Sequence, residues 1–274
     1  MGNIFPVCMD RLQSSLPEVY AFEKVSNTGP MEWNGPVSDV CVAVGRMIAA
    51  NVLEGNYWQP ARLVRAVIDN YAGAPDGRIS LVNDATAVAL ELYAGIPNSD
   101  NFKALVSRFR HYNLDSTEIK QRHDNLTASS SIATYSYNQA RALERCITEP
   151  ILFLPVCHGG LVAGLQAFLY HQRERTDGCL YPIRHSTDKV EDVIPYISKR
   201  ELRYIAEQSD DRTIVVYDDD ACEGSTLVEV IEYLEHNLPK NRTITGRVNL
   251  DCRSSDNIAR QGIYWEKRED YVEI

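Results

Sequence analysis

The sequence of 274 residues lacks the features that mark several specialised classes of protein. No apolar run reaches the roughly 18 residues of a membrane helix, and the N-terminus has no signal-peptide profile, so we expect no membrane contact and a cytoplasmic location. The seven cysteines are odd in number and include no Cys-x-x-Cys pair, so neither a disulfide framework nor a zinc site is indicated. With 28 basic against 38 acidic residues, the formal net charge of −10 argues against nucleic acid as a partner.

The overall amino-acid composition is typical of a soluble globular protein. Hydrophobic residues make up 44% and charged residues 24%, and the length allows one large domain or two small ones with real cores. The apolar pattern changes along the chain. We therefore predict an α/β fold with a parallel-sheet core in residues 115–274, preceded by an all-α module of unknown role in residues 1–114.

The first 114 residues carry apolar residues at helical spacing and no strand pattern. Residues 1–35 are predicted to form an extended arm with at most one short helix. Further helices are predicted to begin near Ser38, after Pro60, at about residue 81 and after the cap residue Asn98. Residues 115–148 are predicted to form a linker with one helix over about 135–147. Several basic side chains of this half fit either a substrate-facing surface or solvated helix faces: Arg62, Arg65, Arg108, Arg110 and His111.

The stretch from residue 213 to residue 227 places carboxylates between a predicted strand and a predicted helix. The β-prone run that ends at Tyr217 leads into Asp218, Asp219 and Asp220, and a Gly-Ser-Thr turn then opens a helical pattern. Backbone N–H groups at such a turn bind phosphate, whereas the carboxylates would repel it and suit sugar hydroxyls or a divalent metal. The pattern therefore predicts a ligand with a phosphate at one end and hydroxyls at the other.

A second strand, turn and helix precede this stretch. The continuous apolar run over residues 151–156 is typical of a strand covered on both faces, and a Gly-Gly turn leads from it into another helical pattern. A parallel sheet also needs such turns for purely geometric reasons. The turn consists of Cys157, His158, Gly159 and Gly160.

The later stretch resembles the ribose-5-phosphate signature of the type I phosphoribosyltransferases, which is an apolar strand, an acidic pair, four residues and a glycine turn. In that family the acidic pair, here Asp218 and Asp219, holds the ribose hydroxyls of phosphoribosyl pyrophosphate (PRPP). The turn holds the 5-phosphate, and the residues that match it are Cys222, Glu223, Gly224, Ser225 and Thr226. Two positions depart from the pattern: Asp220 stands where the family usually has an apolar residue, and Cys222 where some members have an aspartate that acts on the base.

The earlier turn also fits this resemblance. In the family, a turn about sixty residues before the signature binds pyrophosphate, and here Asp218 follows Gly160 by 58 positions. The resemblance thus implies pyrophosphate binding by residues 157–160. It also implies a mobile loop over about residues 185–195, in which Arg184 and Lys189 are the cations for the departing pyrophosphate; a solvated surface loop is the alternative.

The resemblance implies a Mg²⁺-dependent glycosyltransferase, specifically a phosphoribosyltransferase (pentosyltransferase) of nucleotide metabolism. It would transfer ribose 5-phosphate from PRPP to a nitrogenous base or related small-molecule acceptor and release pyrophosphate. Mg²⁺ would be held indirectly by Asp218 and Asp219, through ribose hydroxyls or water, and a homodimer is a candidate assembly. The alternative is a PRPP-sensing regulatory or interaction protein of the same fold that turns nothing over.

Other interpretations of these residues stay open at this point. Carboxylates at a strand end also occur in phosphoacceptor receiver domains and in haloacid-dehalogenase-like phosphatases, and a switch-point turn can arise without any ligand. Cys157 and Cys222 precede predicted helix N-termini, which lower a thiol pKa, so a thiol nucleophile is one interpretation. No histidine or other base is fixed near either cysteine by the sequence, which favours small-residue packing.

Overall fold

The computed structural model describes residues 7–8, 17–25, 28–157, 159–175, 177–185, 195–221 and 225–251. Its strands are β1 (Val7–Cys8), β2 (Trp33–Pro36), β3 (Glu118–Gln121), β4 (Ile151–Cys157), β5 (Cys179–Leu180), β6 (Ile183–Arg184), β7 (Thr213–Ala221) and β8 (Ile244–Asp251). Its helices are α1 (Ala21–Lys24), α2 (Val37–Ala50), α3 (Gln59–Asn70), α4 (Pro75–Ala94), α5 (Ser99–His111), α6 (Asn125–Ser130), α7 (Ala133–Cys146), α8 (Gly160–Glu174), α9 (Lys199–Gln208) and α10 (Ser225–Asn237).

The larger sheet has the strand order β1-β5-β4-β7-β8, and β6 lies beside the last residues of β4. Strands β4, β5, β6, β7 and β8 are parallel, whereas β1 pairs with β5 in the antiparallel direction. The prediction of an α/β fold with a parallel sheet is confirmed. The apolar run of β4 explains its central place, because all seven of its residues are buried.

Helices cover both faces of this sheet. Gly246 and Asn249 lie three positions apart in β8 and therefore on opposite faces. A Cβ on Gly246 would lie 2.9 Å from side-chain atoms of Leu227 and Ile231 in α10, whereas Asn249 donates to Ser136 Oγ of α7 at 3.0 Å. Since α7 packs on α8, these two helices cover one face and α10 covers the other.

The predicted helices of the first half are present. Asn98 caps α5, because its Oδ1 accepts the main-chain N–H groups of Asp100 and Asn101 at 2.9 and 3.2 Å. The long helix α4 begins at Pro75, earlier than the apolar pattern indicates, because proline is well suited to the first turn of a helix. It ends at Gly95, whose φ of 85° is the left-handed conformation that terminates helices.

The prediction that residues 1–114 contain only helices is wrong in two places. Strand β1 joins the edge of the large sheet, and β2 pairs with β3 in a separate two-stranded sheet. Neither strand exceeds four residues, and both pair with residues far along the chain, so tertiary contacts rather than local pattern determine them. Arg62 of α3 stabilises the small sheet: it donates to Gln121 Oε1 at 2.9 Å and to Met31 O at 2.6 Å.

A buried ion pair joins the helical half to the sheet half. Arg78 Nε of α4 lies 3.1 Å from Glu201 Oε1 of α9, and Tyr181 donates its hydroxyl to the same oxygen at 2.8 Å. Asn83 of α4 also donates to the hydroxyl of Tyr204 at 3.1 Å. Apolar side chains of both halves belong to one continuous buried cluster.

One cysteine forms a disulfide bond, which the spacing of the cysteines does not predict. Cys179 is disulfide-bonded, and Cys8 is its register partner across β1 and β5. Cys41 and Cys157 are free thiols, and both are buried. Within the described ranges, no helix has both the length and the apolar character that crossing a membrane requires.

Candidate functional site

The candidate site lies where β4 and β7 end side by side. These strands are neighbours, with Pro155 opposite Tyr217, but β4 is followed along the chain by β5 on one side and β7 by β8 on the other. The strand order therefore reverses between them, and open α/β sheets bind ligands beyond such a switch point. Helices α8 and α10 both begin at this edge, at Gly160 and Ser225.

The glycine turn after β4 is in direct contact with the carboxylates at the end of β7. A Cβ on Gly159 would collide with the carboxylate of Asp219, and one on Gly160 would lie 2.7 Å from both Asp218 Cα and Tyr217 O. No side chain fits at either position without movement of β7 or of its carboxylates. The structure thus brings together the predicted pyrophosphate turn and the predicted ribose-binding pair.

The two carboxylates are buried and close to one another. Asp218 and Asp219 retain 7% and 3% of their surface, and Asp218 Oδ1 accepts the main-chain N–H of Asp219 at 3.0 Å. Burial raises the pKa of Asp218 well above its ordinary range, and the charge of Asp219 raises it further. Asp218 therefore loses its proton more readily once a cation or a hydrogen-bond donor reaches its carboxyl group.

A serine from the predicted linker covers Asp219. Ser130, the last residue of α6, has no exposed surface, and its Oγ lies 3.1 Å from Asp219 Oδ2. Sequence reasoning missed this residue because α6 is only six residues long and carries no apolar stripe. The available signal was Asp124, whose Oδ1 accepts the N–H of Thr127 at 3.3 Å, the contact of a short helix start.

Cys157 is a packing residue rather than a nucleophile. Burial raises the pKa of its thiol strongly, and the nearby charge of Asp69 raises it further, so the reactive thiolate is disfavoured. The charges of Arg65 and Arg78 also act on this thiol, in the opposite direction. The helical half thus brings charged side chains of α3 and α4 to the end of β4.

Arg184 lies at the same edge of the sheet. It ends β6, and its register partner is Cys157, so it stands on the side of β4 away from β7. Its guanidinium lies 5.4 Å from the ring centroid of Tyr196, and that of Arg78 lies 5.5 Å from the same ring. The predicted cation on this side of the site is therefore accompanied by a second one from the helical half.

His185 is a buried histidine to which sequence reasoning gave no role beyond its place in a polar loop. Its main-chain N–H donates to Cys157 O at 3.2 Å, and its Nε2 lies 2.7 Å from Glu229 Oε2 of α10. Its Nδ1 is buried and has no hydrogen-bond partner among the residues that the structure describes. The contact was unforeseeable because 44 positions separate the two side chains.

Part of the predicted site falls outside the described residues. This applies to His158 of the first turn, to Lys189 of the polar loop, and to Cys222, Glu223 and Gly224 of the second turn. Of the predicted 5-phosphate residues, Ser225 begins α10 and Thr226 follows it half-buried.

The acidic pair fits the indirect kind of magnesium binding. Among the described residues, no group of three or more His, Cys, Asp or Glu side chains could hold a metal by itself. Mg²⁺ commonly takes one or two carboxylates and completes its shell with water and substrate phosphate oxygens. Asp218 and Asp219 supply that donor set if the substrate provides the rest.

No protein-family model matches this chain, and no curated protein matches it either. The contact between the glycine turn and the acidic pair is therefore the main guide to the chemistry of this edge.

Proposed function

We propose that this protein is a Mg²⁺-dependent phosphoribosyltransferase with a type I-like core, which transfers ribose 5-phosphate from PRPP to a nitrogenous base or related acceptor. The observation that carries the proposal is the contact of Gly159 and Gly160 with Asp218 and Asp219 at the switch point of the sheet. One ligand that lies across this contact meets a helix N-terminus on the β4 side and two carboxylates on the β7 side.

In the proposed reaction, the bond between the anomeric carbon and the pyrophosphate oxygen breaks, and pyrophosphate leaves with the electron pair. The acceptor nitrogen supplies the pair for the new C–N bond, and a nitrogen that carries a proton releases it. Asp218 and Asp219 accept hydrogen bonds from the ribose hydroxyls. Their negative charge stabilises the positive charge that develops on the sugar in the transition state. Mg²⁺, when bound, neutralises charge on the leaving group.

Binding the substrate at both ends contributes to the rate by positioning. The α8 N-terminus and Arg184 would hold the pyrophosphate, the α10 N-terminus would hold the 5-phosphate, and the acidic pair would hold the sugar between them. Such positioning can contribute roughly 7–11 kcal/mol in well-oriented reactions. Lys189, proposed as a further cation, belongs to this set by its place in the sequence.

The test is a direct assay of turnover. The purified protein is incubated with Mg²⁺, PRPP and a panel of purine, pyrimidine and pyridine bases and amines, and released pyrophosphate is measured. Acceptor-dependent release, abolished by EDTA and restored by Mg²⁺, is expected. Failure to bind PRPP in a calorimetric titration with Mg²⁺ would overturn the proposal.

One observation favours the second candidate, a PRPP sensor without turnover. The acidic pair is almost completely buried, and the Ser130 hydroxyl lies against one of its carboxylates. A site closed in this way suits tight retention of a ligand better than rapid exchange. Binding of PRPP in calorimetry without pyrophosphate release for any acceptor would support the sensor and exclude the transferase.

A further inference from the structure

The residues that surround Ser130 form a buried hydrogen-bond network. Asn249 of β8 donates through Nδ2 to Ser130 O at 2.7 Å and to Ser136 Oγ at 3.0 Å, and its Oδ1 accepts the hydroxyl of Tyr217. Ser130 is fully buried and Asn249 retains only 8% of its surface. The end of α6 is thereby held against the strand that carries the acidic pair.

The helical half holds the next residue. The Tyr57 hydroxyl donates to Ser131 O at 2.6 Å and accepts the side-chain amide of Gln166, which lies on α8. The main-chain O of Tyr57 in turn accepts the hydroxyl of Tyr93 at 2.9 Å. Two consecutive carbonyls, those of Ser130 and Ser131, are thus fixed from two distant parts of the chain.

The Ser130 hydroxyl lies within hydrogen-bond distance of Asp219 Oδ2, at 3.1 Å, and of Thr127 O, at 3.3 Å. A hydroxyl carries one proton and donates to one acceptor at a time. A carboxylate oxygen is the stronger acceptor of the two, because hydrogen bonds to charged groups are shorter and stronger than those between neutral groups. The network therefore directs this proton to Asp219 Oδ2.

We propose that Ser130 is a positioning residue for the sugar-binding carboxylate, and that the helical half serves the site by holding Ser130 in place through Tyr57. This inference rests on the proposed function. The fixed hydroxyl keeps Asp219 Oδ2 occupied, which leaves Oδ1, the oxygen beside Gly159, directed toward the turn. The ribose hydroxyls then meet a carboxylate of defined orientation.

The experiment compares ligands that do and do not use the carboxylate. Calorimetry with Mg²⁺ measures the affinities of ribose 5-phosphate and of inorganic pyrophosphate for wild type, Ser130→Ala and Ser130→Thr. Ser130→Ala is expected to weaken ribose 5-phosphate by about tenfold, the loss of one hydrogen bond to a charged group, and to leave pyrophosphate unchanged. Ser130→Thr keeps the hydroxyl and is expected to restore most of the affinity.

Tyr57→Phe tests the link to the helical half without touching α6. It is expected to weaken ribose 5-phosphate by about threefold and to add little to Ser130→Ala in the double variant, because both act through one serine. Tyr20→Phe is the matched control, since the buried Tyr20 hydroxyl donates to Leu169 O of α8 at 2.8 Å and not to the serine segment.

The outcomes separate the two proposals. A wild type that binds neither PRPP nor ribose 5-phosphate overturns the proposed function and this inference with it. A wild type that binds both, together with a folded Ser130→Ala that loses affinity for pyrophosphate as much as for ribose 5-phosphate, overturns the positioning role alone. A Ser130→Ala variant whose affinities for ribose 5-phosphate and pyrophosphate both equal those of wild type also overturns the positioning role alone. Full additivity of the Tyr57 and Ser130 variants overturns the role given to the helical half.

Discussion

Gly159 and Asp219 stand against each other across the gap between two neighbouring strands. A Cβ on Gly159 would collide with the Asp219 carboxylate, whose Cγ would lie 3.0 Å away, and this obstacle is the movable end of a side chain. At Gly160 the obstacles are main-chain atoms of β7, namely Asp218 Cα and Tyr217 O. The two glycines therefore make separable contributions, one to the position of a carboxylate and one to the packing of α8 on the sheet.

Alanine substitutions should distinguish these contributions. Gly159→Ala is expected to leave a folded protein whose affinity for ribose 5-phosphate falls by about tenfold or more, because the displaced Asp219 loses its hydrogen-bonding geometry. Gly160→Ala is expected to destabilise by about 1–3 kcal/mol, as overpacking against main chain does. Calorimetry and urea denaturation measure the two effects.

Gly45 provides the matched control for both substitutions. It lies inside α2, and a Cβ there would meet only Phe102 Cε1 at 3.5 Å, an ordinary contact. Gly45→Ala is expected to be neutral or to stabilise by up to about 1 kcal/mol, because alanine favours the helix. Equal behaviour of the variants at 45 and 160 would contradict the packing described for the turn.

The charge of Asp219 should be required for the transfer reaction. Asp219→Asn keeps the shape of the side chain but removes the charge that opposes the developing cation, so kcat/KM is expected to fall at least about tenfold, or about 1.4 kcal/mol. Asp211→Asn makes the same chemical change at an aspartate before β7 whose side chain retains 71% of its surface, and it is expected to have a much smaller effect. Steady-state pyrophosphate release measures both, and unchanged kinetics in Asp219→Asn would exclude its role.

The central part of the fold and site was predictable from local sequence. The apolar runs of β4 and β7 each carry their own strand signal, and the turns that follow them are marked by glycines. Parallel pairing of these strands then brings their ends together without further information. Two separate local patterns, one at each strand, were therefore enough to predict that Gly160 and Asp218 lie close together.

The rest of the site depends on contacts between residues far apart in the chain. Ser130 reaches Asp219 across 89 positions from a helix of one or two turns, and neither end of that contact has a periodic pattern. Strand β2 contains Gly35 and Pro36, which local propensity assigns to a turn, and only its pairing with β3 makes it a strand. Tyr57 carries no sign in the sequence that its hydroxyl meets the serine segment.

The raised pKa of Asp218 should appear in the pH dependence of stability. The folded protein keeps this proton to a higher pH than the unfolded chain, in which aspartate ionises near its ordinary pKa of 3.8. Where the folded state binds more protons, stability falls as pH rises. The contribution of this group is therefore fully present below about pH 3.8 and is lost as pH rises toward the folded-state pKa.

Asp218→Asn is the variant that tests this sign. Asparagine resembles the protonated aspartate and does not titrate, so the variant is expected to gain stability over wild type progressively as pH rises. At about pH 3, where aspartate is protonated in both states, the two proteins should differ least. Urea denaturation from about pH 3 to 8 measures the difference, and one that shrinks with rising pH would contradict the burial of this carboxyl.

The ion pair of Arg78 and Glu201 should connect the stability of the two halves. Both residues are buried, and within the described ranges Arg78→Ala leaves Glu201 with the hydroxyl of Tyr181 and the main chain of Ser198 as partners. Removal of one partner of a buried pair typically costs about 3–5 kcal/mol, because the other charge stays out of water. Unfolding is followed in a Trp265→Phe background, in which tryptophan fluorescence reports Trp33 and Trp58 of the helical half. The transitions seen by fluorescence and by circular dichroism should shift together.

The exposed pair of Lys103 and Asp100 is the control for this prediction. Its side chains retain 73% and 89% of their surface, and exposed pairs contribute less than about 1 kcal/mol, so Lys103→Ala should change stability little. If Arg78→Ala is equally mild, water reaches the Glu201 carboxylate and this ion pair does not connect the stability of the two halves. If the fluorescence transition moves and the dichroism transition does not, the helical half unfolds separately. A common shift would instead mean that the module that holds Ser130 through Tyr57 folds as one unit with the sheet that carries Asp219.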